Sequence, residues 1–337
     1  MVINKKNTRP SLKDIADLVG VTKMTVSRFL RNPELVSEQT RNKIANAIEE
    51  IGYIHNRAPS MLSKASSKAI GVLLPSLSNQ VFANFTQGIE SVTNKHGYEV
   101  LISHFGYSDE IEERKIAMML SYHVDGIILT GTTHTKRTLQ MLKTANIPVV
   151  ESMELTDNPI DMVVGIDHEH ASYTAVKAML SSGKRNVAYF GARLDRRTKL
   201  RMEGYDRAIL EFGLKKHHFL THKHSSFTLG RDLLERALAD CPDLDGVFCT
   251  NDDIAIGTIL ACLEKGISVP EKTSVIGYNA LDIGQAISPK LTSIYTPRYE
   301  MGEKSADILL DSIEGKRSQQ NVYDLGFTLT KGESFIS

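Results

Sequence analysis

The sequence predicts a small all-α headpiece followed by a two-lobed α/β core, and three observations support this fold class. Residues 11–31 have the caps and apolar spacing of two short helices joined by a glycine turn. From Ala69 onward, short apolar strands alternate with amphipathic helices, which is typical of parallel sheets covered on both faces. These repeats extend over roughly 270 residues, too many for one sheet of modest width, so we expect two lobes.

The first helix has sequence signals at both ends. Ser11 can cap its amino end, and Asp14, three residues later, can bond back to Ser11 in a capping box. We expect Ile15 and Leu18 to form its buried face and Gly20 to end it.

The second helix begins after Thr22, which is a favourable N-cap residue. Its apolar positions are expected to face inward: Val26, Phe29 and Leu30. The remaining side chains then face outward, as in a helix that enters the major groove of DNA: Lys23, Met24, Ser27 and Arg28. Together the two helices form a predicted helix-turn-helix.

A third helix and a linker follow. Asn32-Pro33 interrupts the helical pattern, and residues 37–51 resume it with apolar side chains at helical spacing: Ile44, Ala47, Ile48 and Ile51. Residues 53–68 contain few large apolar side chains, and we expect one brief helix there, at 58–63.

The charge distribution agrees with this division of the chain. We predict a headpiece at 1–57, a hinge helix and linker at 58–68, and the core at 69–337. Residues 1–68 carry twelve Lys and Arg against six Asp and Glu, a net charge of +6, although the whole chain is neutral. A basic part on an acidic body is typical of a polyanion-binding head that its own body does not occupy.

The core is predicted to contain repeated βα units. Its candidate strands are 69–74, 99–103, 126–130, 148–151, 162–165, 186–191, 246–250, 274–277 and 292–295. Helices are predicted between most of them, for example at 81–95, 111–121, 170–182, 201–212 and 254–265.

Several classes of protein lack their signatures in this chain. No apolar stretch approaches the roughly 18 residues of a membrane helix, and the first ten residues lack the apolar core of a signal peptide, so we expect a soluble cytoplasmic protein. Cys241, Cys249 and Cys262 have no metal-ligand or disulfide spacing, and we expect no metal and no cofactor. No glycine-rich phosphate loop or nucleophile elbow occurs, so an enzyme is not expected. We interpret the histidines of 168–170 and 217–224 as exposed loop residues rather than metal ligands.

Segments along the whole chain are shared with one family. They are 21–30, 41–44 and 52–57 in the headpiece and 70–75, 124–129, 204–205, 245–253 and 274–278 in the core. On these segments the chain resembles the LacI/GalR family of bacterial transcription regulators. The resemblance implies a core like that of periplasmic binding proteins, with lobe crossings near 165, 296 and 325 and an effector bound in the cleft. That location agrees with ligands binding beyond the carboxyl ends of strands in open α/β sheets.

The resemblance assigns DNA contacts to the second helix. Lys23, Met24 and Arg28 occupy the family's groove-facing positions, where Arg28 can bond a guanine through O6 and N7 and Met24 can make only apolar contact. Contacts with the DNA backbone are expected from Thr22, Thr25, Ser27 and Asn32.

The linker at 56–64 matches the family's hinge helix. Asn56, Arg57 and Leu62 are the expected DNA contacts, and Leu62 matches a leucine that enters the minor groove and bends the duplex. His55 and Pro59 depart from the commonest hinge pattern, and we interpret Pro59 as the start of the helix. The alternative for Leu62 is a linker residue packed on the core.

Two such leucine wedges require two subunits. We therefore expect a homodimer on a palindromic DNA operator. No leucine heptad follows residue 330, so a tetramer is not expected.

Five core residues match the family's effector contacts: Phe82, Arg201, Asn251, Asp252 and Asn279. An arginine can grip a carboxylate or vicinal hydroxyls through two hydrogen bonds. Asn251 or Asp252 can accept hydrogen bonds from sugar hydroxyls. Relatives often have aspartate at the position of Asn279, and a neutral amide there removes repulsion toward an acidic ligand.

These residues favour an anionic polyol such as a sugar acid. Within the family the chain is most similar to the gluconate-utilisation repressors, which implies gluconate or a related aldonate as inducer of gluconate uptake and catabolism genes. Another sugar or sugar phosphate remains the alternative, and a solute-binding protein without a regulatory role is the alternative of a different class. Arg193, Arg196 and Arg197 either extend the anion site or form a solvated surface.

Overall fold

A computed structural model describes residues 9–54, 66–316 and 319–336. The chain divides into two compact units, Met1–Ser67 and Lys68–Ser337, which we call the headpiece and the core. The predicted hinge helix at 58–63, with His55, Asn56, Arg57 and Leu62, lies outside the described residues, so the domain boundaries remain predictions.

Between residues 9 and 54 the headpiece contains three α-helices. They are α1 (Leu12–Val19), α2 (Lys23–Arg31) and α3 (Glu38–Ile51), with a 3₁₀ turn at Pro33–Leu35. The Asp14 carboxylate accepts hydrogen bonds from the Ser11 amide and hydroxyl, each at 2.7 Å. Gly20 ends α1 with φ +75°, a left-handed conformation that a residue with Cβ rarely adopts. The Thr25 amide donates to Thr22 Oγ1 at 3.2 Å, so Thr22 caps α2 as predicted.

One apolar cluster holds the three helices together. Its buried members are Ile15, Ala16, Val26, Ile44, Ala47 and Tyr53. Leu18 is not among them, because the inward face of α1 is formed by Leu12, Ile15, Ala16 and Val19, which leaves Leu18 51% exposed. The prediction for Leu18 is therefore wrong.

The core contains two six-stranded sheets, each flanked by helices. The first lobe has strands β1 (Ala69–Leu74), β2 (Glu99–His104), β3 (Gly126–Leu129), β4 (Val149–Glu154), β5 (Met162–Ile166) and β11 (Val322–Asp324). The second has β6 (Val187–Ala192), β7 (His217–Thr221), β8 (Gly246–Cys249), β9 (Ser274–Asn279), β10 (Thr292–Tyr295) and β12 (Thr328–Leu329). The core helices are α4 (Val81–Thr93), α5 (Asp109–Ser121), α6 (Lys136–Ala145), α7 (His168–Ser181), α8 (Arg196–Glu211), α9 (Phe227–Asp240), α10 (Asp252–Glu264), α11 (Ile283–Ala286) and α12 (Arg298–Ile313).

The order of the strands in each sheet differs from their order along the chain. The first sheet has the order β11-β5-β4-β3-β1-β2 and is parallel throughout; the second has the order β12-β10-β9-β8-β6-β7, with only β12 antiparallel. The chain crosses between lobes three times: after β5, after β10 and after β11. The carboxyl ends of strands from both sheets consequently border one cleft, where ligands bind in open α/β folds.

Some element boundaries differ from the predictions. Strand β7 is absent from the predicted set, because His217–Thr221 is a polar edge strand without a continuous apolar run. Helix α8 begins at Arg196, five residues before the predicted start, because its first turn is charged and carries no apolar periodicity. Asp195 caps that turn by accepting the Thr198 amide at 2.8 Å.

No helix in the described part of the chain combines the length and apolar character needed to span a membrane.

Candidate functional site

A cavity lies between the two lobes of the core, with an empty volume of about 590 Å³ that opens to solvent. The first lobe and the crossing into α7 contribute Asn79, Val81, Phe82, Tyr107, Met153 and His168. The second lobe and α12 contribute Ala192, Arg193, Asp195, Arg197, Thr198, Arg201, Thr250, Asn251, Asn279, Thr296, Arg298 and Met301.

Five helices begin at this cavity. Lining residues occupy the first turn or the N-cap of α4, α7, α8, α10 and α12. Asp167, Asp195 and Asn251 cap α7, α8 and α10 by accepting backbone amides through their side-chain oxygens. The partial positive charge of helix amino termini favours an anionic ligand at such a site.

Arg201 reaches the cavity from the second turn of α8 and is held in place from two sides. Its guanidinium donates to the Thr250 carbonyl at 2.5 Å and lies 3.7 Å from the centre of the Tyr278 ring. Only 8% of the residue is exposed, and its Nε has no hydrogen-bond partner among the described residues. A buried donor without a partner is costly, which makes Arg201 well suited to bind a ligand oxygen.

Arg298 provides a second buried guanidinium, at the start of α12. Its Nη1 donates to the Asn279 carbonyl and, at 2.9 Å, to Thr296 Oγ1. Burial lowers the pKa of this guanidinium, and the opposing charge of Asp252 limits that effect. Within the described chain its Nε also has no hydrogen-bond partner.

Asn279 lies at the end of β9 in an unusual backbone conformation. Its φ is +106° and that of Ala280 is +50°, so two consecutive residues with side chains occupy the left-handed region. Such strain persists only where surrounding contacts hold it. Asn279 lines the cavity and is 7% exposed.

Asp252 supplies those contacts and lies outside the cavity lining, so its predicted contact with an effector stays a prediction. Its carboxylate is fully buried and accepts hydrogen bonds from Ser293 Oγ and the Leu281 amide, each at 2.6 Å. Ser293 Oγ in turn accepts the Ala280 amide at 3.0 Å. Burial raises the pKa of Asp252 to about 7, against the effect of these two hydrogen bonds. Asp252 points into the sheet because its neighbour Asn251 occupies the N-cap.

The other two predicted effector residues do line the cavity. Asn251 Oδ1 accepts the Ile254 amide at 3.4 Å as the cap of α10, so its Nδ2 group is the part available to donate to a ligand. Phe82 forms an apolar wall, and the guanidinium carbon of Arg197 lies 5.9 Å from its ring centre. Contact of Phe82, Arg201, Asn251 and Asn279 with an effector remains a prediction.

His168 is a cavity residue that the sequence analysis misplaced as an exposed loop histidine. It is the first residue of α7 and is buried between the lobes. Its Nε2 lies 3.1 Å from the Met153 carbonyl, which can only accept, so Nε2 carries the proton. Burial, assisted by Arg201 and Arg197, holds the pKa of His168 well below its usual value. The neutral ring therefore accepts at Nδ1 from the Tyr278 hydroxyl, 2.6 Å away.

Residues 193–197 contribute further cations. Arg193 and Arg197 line the cavity, whereas Arg196 does not and forms an ion pair with Glu154 at 3.2 Å. Burial opposes ionisation of Asp195, but Arg197 and the Thr198 amide hold its pKa below the usual value. Among the described residues, the lining therefore carries four guanidiniums and one carboxylate.

The sequence did contain a signal for the position of His168. This residue directly follows Asp167, a capping aspartate at the carboxyl end of strand β5, where cavity residues are expected.

The headpiece presents the predicted DNA-contacting side of α2 to solvent. Thr22, Lys23, Met24, Arg28 and Asn32 are exposed, and Met24 is 69% exposed despite being apolar. Thr25 and Ser27 are half-buried, with hydroxyls that bond Thr22 at 2.9 Å and Arg31 at 2.8 Å. These residues form one surface on α2, and their contacts with DNA remain predictions.

Comparison with known proteins places both units in one family. Residues 11–56 match the model of bacterial regulatory proteins of the lacI family, and residues 67–328 match that of periplasmic binding proteins and the sugar binding domain of the LacI family. The chain belongs to the LacI family. This LacI-family chain is 50% identical to the HTH-type transcriptional regulator GntR of Escherichia coli K12, over 98% of its own length and 99% of that protein.

Two further relatives cover the LacI-family chain from end to end. The HTH-type transcriptional regulator IdnR of E. coli K12 is 44% identical over 98% of this chain and 99% of that one. The crystal structure of a LacI family regulator from Silicibacter pomeroyi superposes with a TM-score of 0.91 at 32% identity, covering 96% and 99% of the two chains. This chain is therefore a DNA-binding transcriptional regulator, and the predicted fold class is confirmed for the helical headpiece and the two-lobed core.

Proposed function

We propose that this regulator is a repressor whose operator affinity is controlled by a small sugar acid, gluconate or a related aldonate, acting as inducer of gluconate uptake and catabolism genes. It acts as a homodimer on a palindromic operator, in the cytoplasm where that DNA lies.

The charge of the cavity is the observation that carries the choice of ligand. Among the described residues, the lining contains four guanidiniums, those of Arg193, Arg197, Arg201 and Arg298, and one carboxylate, that of Asp195. The Asp195 carboxylate already caps α8. A ligand carboxylate offers two acceptor oxygens to a guanidinium and is stabilised by the helix amino termini. A neutral sugar adds no negative charge to these four guanidiniums, whose anionic neighbours are Asp195 in the lining, Asp252 beside Arg298 and Glu154 beside Arg197.

The remainder of the lining suits a polyol chain. The Asn251 and Asn279 amides offer hydrogen-bond donors and acceptors to ligand hydroxyl groups. The Thr198 and Thr250 hydroxyls donate to the Ala192 carbonyl and to Thr198, respectively, which leaves their oxygens as acceptors. Phe82 provides an apolar face for the carbon backbone. The neutral amide of Asn279 adds no anion beside the ligand carboxylate.

The headpiece supports sequence-specific binding to DNA. Lys23 and Met24 project from the first turn of α2, where base edges are read in helix-turn-helix proteins, and Arg28 projects from its carboxyl-terminal half. One small headpiece makes few phosphate contacts and binds weakly, whereas two heads reading a palindrome bind far more tightly. This is the reason for proposing a dimer.

Ligand and operator are coupled through the lobes. A ligand that contacts both sides of the cleft binds the closed arrangement more tightly than an open one, so it shifts the population of the two. Such coupling is typically about 1 to 3 kcal/mol, which corresponds to a 5- to 150-fold change in operator affinity.

The test is a gel-shift titration of the full chain on a palindromic gluconate-type operator at fixed salt, with gluconate, glucose or 6-phosphogluconate added. Release by gluconate but not by glucose supports the proposal. Release only by the phosphorylated acid replaces the aldonate with a sugar phosphate, and tighter binding with gluconate reverses the sign of regulation. An absence of specific binding by the unmodified protein contradicts the role of α2.

A matched pair of variants tests the ligand site. Arg201→Gln removes the buried cavity guanidinium, and we expect it to abolish the response to gluconate while operator binding persists. Arg207→Gln changes the same residue type on the same helix, but Arg207 lies outside the cavity and pairs with Glu169 at 2.8 Å. We expect this variant to respond as the unmodified chain does.

A further inference from the structure

One short segment carries several contacts that cross the mouth of the cleft. Residues 193–197 comprise the connection from β6 to α8 and the first two residues of α8, in the second lobe. The Arg193 guanidinium lies 5.0 Å from the Tyr107 ring centre, that of Arg197 lies 5.9 Å from the Phe82 ring centre, and Arg196 pairs with Glu154. Tyr107, Phe82 and Glu154 all belong to the first lobe.

Glu154 is the first-lobe residue that contacts both Arg196 and Arg197 of this segment. It is the last residue of β4, and only 3% of its side chain is exposed. Thr132 donates to Glu154 Oε1 from its amide at 3.3 Å and from its hydroxyl at 2.7 Å. Arg196 Nε lies 3.2 Å from the same oxygen, and Arg197 Nε lies 4.0 Å from Oε2. A buried carboxylate requires such partners, and its cationic partners come from the opposite lobe.

The lobes have an electrostatic reason to stay together. Three of the four guanidiniums in the lining, Arg193, Arg197 and Arg201, belong to the second lobe, and like charges in a partly desolvated site repel one another. Glu154 brings a negative charge to this side of the second lobe only while the lobes are closed.

We propose that Glu154 and Arg196 form a latch that holds the lobes together, so that both act as positioning residues for the ligand although neither lines the cavity. The proposal rests on the proposed function in one respect: the ligand binds the closed cleft. When the latch is lost, the closed population falls, and the apparent affinity for the ligand falls by the same factor.

The test is calorimetric titration of the full chain, without DNA, with gluconate. We expect Glu154→Gln and Arg196→Gln each to weaken gluconate binding by about tenfold through the loss of closed population. The double variant should be no weaker than either single one, because both remove the same contact. Full affinity in Arg196→Gln, or a double variant weakened by the product of the two factors, overturns the proposal.

Glu169→Gln is the matched control. Glu169 pairs with Arg207 at 2.8 Å, as Glu154 does with Arg196, but both partners belong to the second lobe. Its affinity for gluconate should be unchanged. A loss equal to that of Glu154→Gln would assign the effect to general destabilisation and contradict the latch.

A readout without ligand separates the latch from the choice of ligand. Spin labels at Ala117→Cys in the first lobe and Asp232→Cys in the second report the distance between the lobes, with labelled chains diluted into unlabelled ones. Both positions are exposed, whereas the three native cysteines are buried. We expect a longer distance in Glu154→Gln and no change in Glu169→Gln. If the unmodified chain fails to bind gluconate, the proposed ligand is wrong and this distance decides the latch; an unchanged distance in Glu154→Gln contradicts it.

Discussion

The histidine at position 134 makes the stability of the core depend on pH. His134 lies between two buried glutamates, with Nδ1 2.9 Å from Glu112 and Nε2 3.4 Å from Glu151, and only 2% of its side chain is exposed. Burial acts to lower the pKa of His134, but the hydrogen bond to Glu112 and the ion pair with Glu151 outweigh it and raise the pKa to about 9 from an ordinary value of 6.5. Asp161 lies near the same group, and burial, with a smaller effect of Glu151, raises its pKa.

The direction and size of the effect follow from this shift. Because the folded chain binds the proton more tightly than the unfolded chain, the stabilisation is fully present below pH 6.5 and is lost as the pH rises through 9. A shift of this size corresponds to about 3 kcal/mol. His134→Gln cannot carry the charge, so its deficit in unfolding free energy should approach that value at pH 7 and nearly vanish at pH 10.

Urea unfolding followed by far-ultraviolet circular dichroism measures this difference, since the chain contains no tryptophan to report by fluorescence. Subtracting the variant from the unmodified chain at each pH removes the contributions of lysines and tyrosines. His96→Gln, at an exposed histidine, should show no deficit at either pH. A deficit for His134→Gln that is equal at pH 7 and pH 10 would refute the charged triad and leave only a packing defect.

Three further predictions concern the DNA surface, the cavity and the core. Arg28→Ala should weaken specific operator binding by about 1 to 3 kcal/mol, measured by gel shift, without changing gluconate affinity. Asn279→Asp adds an anion to the cavity and should weaken gluconate by about tenfold or more in calorimetry, leaving neutral sugars unaffected; equal gluconate affinity would contradict the anionic ligand. Gly277→Ala would place Cβ 2.2 Å from Asp252 Oδ1 and should lower the unfolding free energy by about 1 to 3 kcal/mol, whereas Gly131→Ala meets no atom within 4 Å and should not.

The sequence determined the features of this protein that arise from short stretches of chain. Thr22 caps α2 and Gly20 ends α1 as predicted, because a cap depends on residues only a few positions apart. Alternating strands and helices likewise predicted the two-lobed core. The same local rules failed at Leu18, because apolar spacing does not show which side of a helix is covered by its neighbours. They also missed the first turn of α8, because that turn is charged and has no apolar spacing.

Only the tertiary structure decided how neighbouring polar residues divide their roles. Asn251 and Asp252 are adjacent and chemically similar, yet one lines the cavity and the other braces the Asn279–Ala280 backbone through Ser293. That division follows from the start of α10 at the edge of the sheet, which turns successive side chains in different directions.

The pairing of residues far apart in the chain was also beyond sequence analysis. Arg196 meets Glu154, and His168 lies between Met153 and Tyr278, because the chain crosses between lobes three times. The burial of His134 between two glutamates depends instead on packing within the first lobe, where α5 carries Glu112 and β4 carries Glu151. Charge and burial at these sites depend on elements that meet only in the folded core, whereas residue type and local spacing were enough to identify the helix-turn-helix and the α/β repeats.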